Sequence, residues 1–220
     1  MAGVTLEEVA ARAGVSRATV SRVVNGDPRV NEVRAGAVHK AIAELGYVPN
    51  PAARALVRRR TDSVALVVCE SDQALFGHPF WTQVIRGVHD GAADADQQLV
   101  LLLWQTSDDA ARIERYLAGR HVDGVVLIGL HGDDSMPVRL QRAGVPVVLG
   151  GRPFNVPTGG PTVPYADCDN RGGARAAVEH LAGTGRRVVG TVTGPTDTTA
   201  GLDRLDGWRD AVAARGLDAS

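Results

Sequence analysis

Apolar positions follow two different patterns along the 220-residue chain, and the change between them falls near residue 60. Before that point, apolar residues recur every three or four positions, as they do on a helix with one buried face. After it, they gather into short continuous runs separated by amphipathic stretches. Such runs are typical of strands buried on both faces of a parallel sheet. The pattern therefore predicts a small helical domain followed by a larger α/β domain.

The segment 5–25 fits two short helices joined by a tight turn. Thr5 and Glu8 have the spacing of a capping box, and Ser16 can cap the second helix. Gly14 permits the positive φ that a sharp exit from the first helix needs. Small, glycine and apolar residues follow one another here in the order that a helix-turn-helix corner requires. We therefore predict a helix-turn-helix, with a generic helical hairpin as the alternative.

The second of these helices has an apolar and a polar face. Its valines point inward at helical spacing, while the opposite face carries Arg17 and Arg22 together with Ala18, Ser21 and Asn25. Guanidinium groups suit guanine edges or phosphates, and short hydroxyl and amide groups can approach the DNA backbone closely. This face is the predicted DNA-reading surface. In a generic hairpin its arginines would merely be solvated.

A third helix is predicted over 31–45, and a short helical segment follows it. Asn50 can cap this segment, and Pro51 can take its first helical position. A helix this short is unstable alone. Two interpretations stay open: a plain interdomain linker, or a hinge that folds only on DNA, with Leu56 as an apolar wedge in the minor groove and Arg54 at phosphates.

The apolar runs of the second part predict strands, and the stretches between them predict helices. Their alternation implies a doubly wound sheet with right-handed crossovers, in which ligands bind beyond the carboxyl ends of the strands. The predicted strands are 64–68, 99–103, 124–129, 145–151 and 187–194, the predicted helices lie near 80–97, 107–119, 134–143, 170–183 and 201–215, and the ligand-side loops are 70–81, 129–136, 150–165 and 194–204.

Those loops carry no recognisable catalytic set. The six histidines are scattered without metal-ligand spacing, and neither a GxSxG elbow nor a Walker phosphate loop is present in the sequence. We therefore expect no enzyme activity, no cofactor and no metal. The loops do hold Phe76, Phe80, Trp81 and Arg204. Aromatic faces with an arginine fork suit a sugar-like ligand, although core aromatics and a solvated arginine are an equal alternative.

Charge and cysteine content indicate the kind of partner and the cellular compartment to expect. Residues 1–60 hold ten Lys and Arg against five Asp and Glu, whereas 61–220 hold fourteen against twenty. A basic front on an acidic body suits a domain that binds a polyanion. Cys69 and Cys168 lie in or beside apolar runs and are expected to be buried thiols. With no secretory leader and no apolar run of about 20 residues, we expect a cytoplasmic protein without a membrane segment.

The stretches VTLEEVAARAGVSRATVSRVVNG, AIAELGYVPNPAARAL, DNRGGARAAVEHL and RLDGW resemble the lactose-repressor/galactose-repressor (LacI/GalR) family of bacterial transcription regulators. The resemblance implies an all-α helix-turn-helix headpiece with a hinge helix, followed by a periplasmic-binding-protein-like α/β domain with parallel sheets and two subdomains. The implied boundaries are 1–49 for the headpiece, 50–60 for the hinge, 61–162 for the first subdomain and 163–220 for a partial second subdomain.

The same resemblance implies a repressor that binds a palindromic operator in double-stranded DNA as a homodimer and responds to a small effector such as a sugar. Arg17, Ala18 and Arg22 would face base edges, and Ala53 and Leu56 would enter the minor groove. The full set of expected DNA-binding residues is Thr5, Leu6, Ser16, Arg17, Ala18, Thr19, Ser21, Arg22, Asn25, Tyr47, Asn50, Ala53, Arg54 and Leu56. The expected effector-binding residues are Phe80, Asp169 and Arg204.

Three features depart from the family pattern. Ala18 can read only a thymine methyl group or DNA shape, because its side chain has no hydrogen-bonding group. Gly150 and Gly151 stand where many members have an acidic residue before Arg152. Members also continue past Ser220, so weakened or absent effector binding is expected. The alternatives are a shortened, effector-blind form that occupies DNA or titrates a partner and, more remotely, a ligand-binding module or enzyme.

Overall fold

A computed structural model describes residues 4–49, 60–154 and 162–218, with the side chain of residue 72 left out. The chain divides into two compact units, 1–61 and 62–220. We call the first unit the head and the second the body. The predicted hinge residues Asn50, Ala53, Arg54 and Leu56 lie outside the described part of the chain.

Three helices form the head: α1 (Leu6–Ala13), α2 (Arg17–Val24) and α3 (Glu32–Leu45). The predicted capping box is confirmed, because the Glu8 amide donates to Thr5 Oγ1 over 3.3 Å and the Thr5 amide donates to Glu8 Oε2 over 2.7 Å. Ser16 caps α2 by accepting from the Thr19 amide over 3.2 Å. Gly14 ends α1 at φ +66°, the left-handed conformation that its position in the corner requires.

One small apolar core holds these helices together. Val9, Val20 and Val38, one from each helix, are fully buried at its centre. Tyr47 closes the core after α3 and is only 9% exposed. Because each helix is short, this shared core and the caps supply the stability that the isolated helices lack.

The body is built on one parallel sheet of five strands, in the order β2-β1-β3-β4-β5. Helices lie between the first four strands, and two more follow the fifth. The elements are β1 (Ser63–Val68), α4 (Asp72–Gly77), α5 (Pro79–Asp94), β2 (Gln98–Leu103), α6 (Ser107–Ala118), β3 (Gly124–Ile128), α7 (Met136–Arg142), β4 (Val147–Gly150), β5 (Tyr165–Ala166), α8 (Asn170–Gly183) and α9 (Thr199–Arg215).

Each face of the sheet has its own core, because successive side chains of a strand point to opposite faces. Ala65 and Val67 of β1 belong to the core that includes the buried apolar residues of α6 and α7. Leu66 and Val68 belong to the second core, together with Leu75 of α4 and Trp81 of α5. The predicted doubly wound arrangement is therefore confirmed for this sheet.

The predicted fifth strand, 187–194, is wrong. In the described structure this segment makes only an isolated bridge between Val188 and Asp218, and Val192 is fully exposed. An apolar run becomes a strand only when a neighbouring strand pairs with it along a hydrogen-bonded ladder. Among the described residues, no ladder longer than this single bridge is present here. The actual fifth strand is β5, which pairs with β4 inside the expected loop 150–165. The sheet thus extends beyond the expected subdomain boundary at 162.

Two smaller expectations are also corrected. The expected loop 70–81 contains α4, whose first turn is capped by Ser71 accepting from the Ala74 amide over 3.3 Å. Cys69 is buried, and this burial raises the pKa of its thiol. Cys168, by contrast, is exposed because it lies in the turn where the chain leaves the sheet for α8. Among the described residues, no helix is long and apolar enough to span a membrane.

Candidate nucleic-acid interface and ligand site

The outward side of α2 presents most of the residues expected at base edges. We call Arg17, Ala18, Ser21, Arg22 and Asn25 the recognition face. Arg17, Ala18 and Arg22 are exposed, whereas the inward Val20 and Val23 are buried. α2 is short and capped at both ends. Because its valines must face the core, helical geometry fixes which of its other side chains point outward.

Local hydrogen bonds already order the polar side chains near this face. Ser16 Oγ lies 2.9 Å from Thr19 Oγ1, which places two hydroxyl groups together at the start of α2. Asn25 Nδ2 donates to the Ser21 carbonyl over 2.8 Å at its end. Hydroxyl, amide and backbone N–H groups at helix starts are the usual donors to DNA phosphates.

The recognition face includes an ion pair that the sequence pattern did not reveal. Arg17 Nε lies 2.9 Å from Glu7 Oε1, so the first residue of α2 is joined to the first turn of α1. Arg22, one turn further along α2, is exposed. Glu7 itself is not part of the capping box, which uses Glu8.

Two of the expected DNA contacts lie deeper in the head. Leu6 packs partly buried against the head core, and Tyr47 is 9% exposed within it. Contact with DNA through either residue is limited to the small part of its side chain that remains accessible. Thr5 is exposed at the start of α1, next to the capping carboxylate of Glu8.

In the body, polar side chains gather at the carboxyl ends of the strands, where the fold predicts a ligand. Glu70 follows β1, His131 follows β3, and Arg152 follows β4. Residues at the start of α8 and α9 join them from the other side. We call the whole set the strand-end site: Glu70, His131, Arg152, Asp167, Asp169, Asn170, Asp197, Thr199, Asp203 and Arg204.

His131 connects two parts of the strand-end site. Its Nδ1 lies 3.1 Å from Asp197 Oδ2, and its Nε2 lies 3.7 Å from Glu70 Oε1. The Gly132 amide also donates to the Asp197 carbonyl over 2.6 Å. The loop after β3 is therefore tied to the segment that leads into α9.

Arg152 makes a second connection. Its Nη2 donates to Asp203 Oδ1 over 2.7 Å, and its amide donates to Asp167 Oδ2 over 3.0 Å. Thr199, which is nearly buried, donates its hydroxyl to the Arg152 carbonyl over 2.7 Å. Before Arg152, Gly151 has a φ of +107°, so a side chain in place of this glycine would strain the backbone.

The expected effector residues do not all meet. Asp169 and Arg204 line one cavity of about 360 Å³ between α8, α9 and the segment 189–192. Arg204 Nε donates to Asn170 Oδ1 over 2.9 Å, and Asp169 caps α8 by accepting from the Gly172 amide over 2.8 Å. Phe80 does not line this cavity. It lies half exposed at the start of α5, in edge contact with Trp81 at a centroid distance of 5.1 Å.

The aromatic residues of the expected ligand-side loops divide between two interpretations, core residues and exposed ligand contacts. Trp81 is a core residue, 8% exposed, whereas Phe80 and Phe76 present their rings to solvent.

A larger cavity of about 910 Å³ lies at the amino ends of the strands, along an apolar groove beside α5. It is therefore on the opposite edge of the sheet from the strand-end site. No cluster of His, Cys, Asp and Glu within the described ranges could hold a metal ion.

Sequence comparisons relate both units to characterised proteins. Residues 5–50 match the family described as bacterial regulatory proteins, lacI family, and residues 61–220 match the periplasmic binding proteins and sugar binding domain of the LacI family. The HTH-type transcriptional regulator CelR of Thermobifida fusca is 50% identical over 214 residues, which are 97% of this chain and 62% of that protein. The ribose operon repressor of Escherichia coli K12 is 32% identical, over 97% of this chain and 63% of its own length.

Solved structures give the same relationship. A CelR–cellobiose complex has 47% identity and a TM-score of 0.66, covering 99% of this chain and 63% of its own. A lac repressor dimer bound to operator and the anti-inducer ONPF has 25% identity and a TM-score of 0.79, covering 99% and 64%. The chain therefore spans just under two thirds of the length of these relatives.

Proposed function

The chain belongs to the lacI family of bacterial regulatory proteins, and we propose that it is a sequence-specific DNA-binding transcriptional regulator, a repressor whose operator binding responds to a small sugar. The observation that carries this proposal is the recognition face. A capped helix presents two arginines, an alanine and short polar groups to solvent while its valines fill the head core. An exposed helix of this kind fits the major groove.

On DNA, each part of the head has a distinct role. Arg17 and Arg22 donate to guanine O6 and N7 or to phosphates, and the Ala18 methyl group contacts a thymine methyl. Ser16 and Thr19 hold phosphates and so fix the register of the helix. Because the first sixty residues carry a net charge of +5, binding releases counterions and weakens as salt rises.

The protein binds as a homodimer, so that two recognition faces meet the two halves of a palindromic operator. The segment 50–60 acts as the hinge, with Ala53 and Leu56 at the minor groove and Arg54 at phosphates. Leu56→Ala is then expected to lower operator affinity far more than non-specific affinity. Equal losses on both kinds of DNA would argue against a wedge.

The effector binds at the strand-end site. Its carboxylates, amide and arginines offer the donors and acceptors that sugar hydroxyl groups require. Phe80 does not line the cavity of Asp169 and Arg204, so the proposed site does not depend on its ring. The similarity to a regulator solved with cellobiose supports a β-linked glucose disaccharide as the effector of this chain.

Regulation follows from linkage between the two ligands. A sugar that binds better to one arrangement of the strand-end site shifts the protein toward that arrangement. DNA affinity then changes by the same factor as sugar affinity does when DNA is bound. The contacts of His131 with Asp197 and of Arg152 with Asp203 lie where such a shift would be transmitted.

Selection of a random DNA pool on the purified chain tests the proposal. The expected result is a near-palindrome with a flexible pyrimidine–purine step at its centre, whose binding is steeply salt dependent. Retention of unselected DNA alone would contradict sequence-specific recognition. Cellobiose is then added to the complex, with ribose as the control sugar.

The full proposal is supported if cellobiose, but not ribose, releases the DNA or tightens its binding. Selective DNA binding that neither sugar changes would support the narrower function, a regulator that occupies DNA without an effector.

A further inference from the structure

We propose that Glu7 is a specificity-determining residue of the head, which positions Arg17 to read guanine and disfavours its contact with phosphate. The proposal rests on the proposed function as a DNA-binding regulator and adds to it a residue outside the recognition helix. Glu7 acts through Arg17, so its role is that of a positioning residue.

The geometry of the pair is the first argument. Glu7 lies in the first turn of α1 and Arg17 is the first residue of α2, with Arg17 Nε 2.9 Å from Glu7 Oε1. A guanidinium group is planar, and its N–H donors form a rigid fork. A carboxylate at Nε fixes the plane of this fork and leaves its Nη end for another partner. Guanine presents O6 and N7 side by side, which suits two parallel N–H donors.

Charge is the second argument. A phosphate that approached Arg17 would also approach the carboxylate of Glu7, and like charges repel. A guanine edge carries acceptors without a full negative charge, so it meets much less repulsion. The carboxylate therefore lowers the affinity of Arg17 for the DNA backbone more than its affinity for guanine, which separates specific from non-specific binding.

The exposure of both side chains indicates that the ion pair of Glu7 and Arg17 contributes little to the stability of the head. The side chains of Arg17 and Glu7 keep 69% and 62% of their surface exposed. Ion pairs this exposed contribute little to stability. The head is instead held by its buried valines and by the capping box of Thr5 and Glu8. Removing the Glu7 charge should therefore leave the head folded and change what it binds.

The head offers a matched control. Glu44 of α3 pairs with Arg12 of α1 and with Lys40, so Glu44→Gln removes the same charge and also breaks an ion pair. Neither partner of Glu44 belongs to the recognition face. Glu7→Gln and Glu44→Gln thus change the net charge of the head equally, and only the first alters the environment of Arg17.

The experiment measures base preference as well as affinity. Pool selection on the parent chain gives its preferred operator, and Arg17→Ala identifies the base pair that Arg17 reads. Competition binding then compares the four bases at that position for the parent chain, Glu7→Gln and Glu44→Gln. Thermal unfolding of each variant, followed by circular dichroism, verifies that the head is folded.

Glu7→Gln is expected to reduce discrimination at that base pair about five- to tenfold, the lower part of the range of one good base contact. Its non-specific affinity should rise, because one negative charge is lost. Glu44→Gln should show a similar rise with an unchanged base preference.

Unchanged discrimination in folded Glu7→Gln would overturn the proposal. Equal changes of preference in both variants would also overturn it, because net charge alone would then explain them. If the parent chain selects no sequence, the proposed function fails at the first step, and this inference fails with it.

Discussion

The recognition face of the head comes from five positions of one short helix and its cap, whereas the strand-end site of the body draws on four strand ends and the starts of two later helices. In the head, helical periodicity alone separates the inward valines from the outward arginines. In the body, His131 and Asp197 are far apart in sequence and meet only because the sheet brings their segments together. The difference teaches that the proposed DNA-reading surface is specified locally, while the proposed ligand site depends on the whole topology.

The largest expected effect tests whether the head folds as a unit of its own. Val38 is fully buried in the head core, and Val33 on the same helix is 81% exposed. Val38→Asp would bury an unpaired carboxylate, which a small core cannot accommodate. We expect loss of selective DNA binding and of head helicity, while limited proteolysis finds the body as resistant as before.

Val33→Asp is the control and should retain both DNA binding and helicity. If Val38→Asp also made the body sensitive to protease, the two units would depend on each other for folding. The contrast between a locally encoded head and a topologically assembled body would then fail.

A packing substitution tests the second half of the body. Gly207 of α9 is buried against the Arg171 carbonyl and the Ala174 side chain of α8, with no room for a Cβ atom. Gly207→Ala forces the two helices apart and should cost about 1–3 kcal/mol in the free energy of unfolding. Gly173→Ala on α8, where a Cβ meets no neighbour, should be neutral or stabilising by up to about 1 kcal/mol. Urea unfolding of the two variants measures the difference.

A charge-conserving substitution tests the ligand site. Arg204→Lys keeps the positive charge but loses the rigid fork that now holds Asn170. We expect cellobiose affinity, measured by calorimetry, to fall about tenfold, or about 1.4 kcal/mol. Arg209→Lys on the same helix, where the arginine is exposed and lies 3.5 Å from Asp206, should leave it unchanged. Equal affinities for both variants would place the sugar away from Arg204.

The smallest expected effect concerns pH and the head alone. Arg29 donates side-chain hydrogen bonds of 2.9 and 2.8 Å to the two carboxylate oxygens of Asp27, which lowers the pKa of Asp27 from 3.8 to about 2. A depressed carboxyl pKa gives stability that is full above the ordinary value and lost as pH falls through the folded value. The contribution should therefore decline between about pH 4 and pH 2, and remain small because the Arg29 side chain is exposed.

Carboxyl NMR shifts can follow this titration directly. The Asp27 midpoint is expected near 2 in the parent chain and closer to 3.8 in Arg29→Ala. A midpoint that does not move would mean that the Arg29 hydrogen bonds do not form in solution.

Much of the fold could be predicted because its signals are local. The capping box at Thr5, the glycine at position 14 and the valine spacing of α2 together specify the head, since a helix makes its hydrogen bonds within its own segment. Four of the five predicted strands were also right. The apolar runs of β1 and β3 are largely buried between the two cores, whereas those of β2 and β4 are only partly buried.

The predictions failed where a distant partner decides the outcome. Apolar spacing in 187–194 is that of a strand, yet the described structure gives the segment only one isolated bridge. β5 has just two residues, too few for a pattern, and exists because β4 offers it an edge. Trp81 and Phe80 are adjacent in sequence, but the path of α5 buries one ring and exposes the other.

The sequence by itself determined the recognition face, the alternation of helices with the first four strands, and the membership of a regulator family. Only the tertiary structure decided that Glu7 holds Arg17, that His131 meets Asp197, and that Arg152 pairs with Asp203. The physical reason is the range of the interactions. Backbone hydrogen bonds and helical faces follow from neighbours along the chain, whereas a pair between side chains of separate elements depends on how those elements pack.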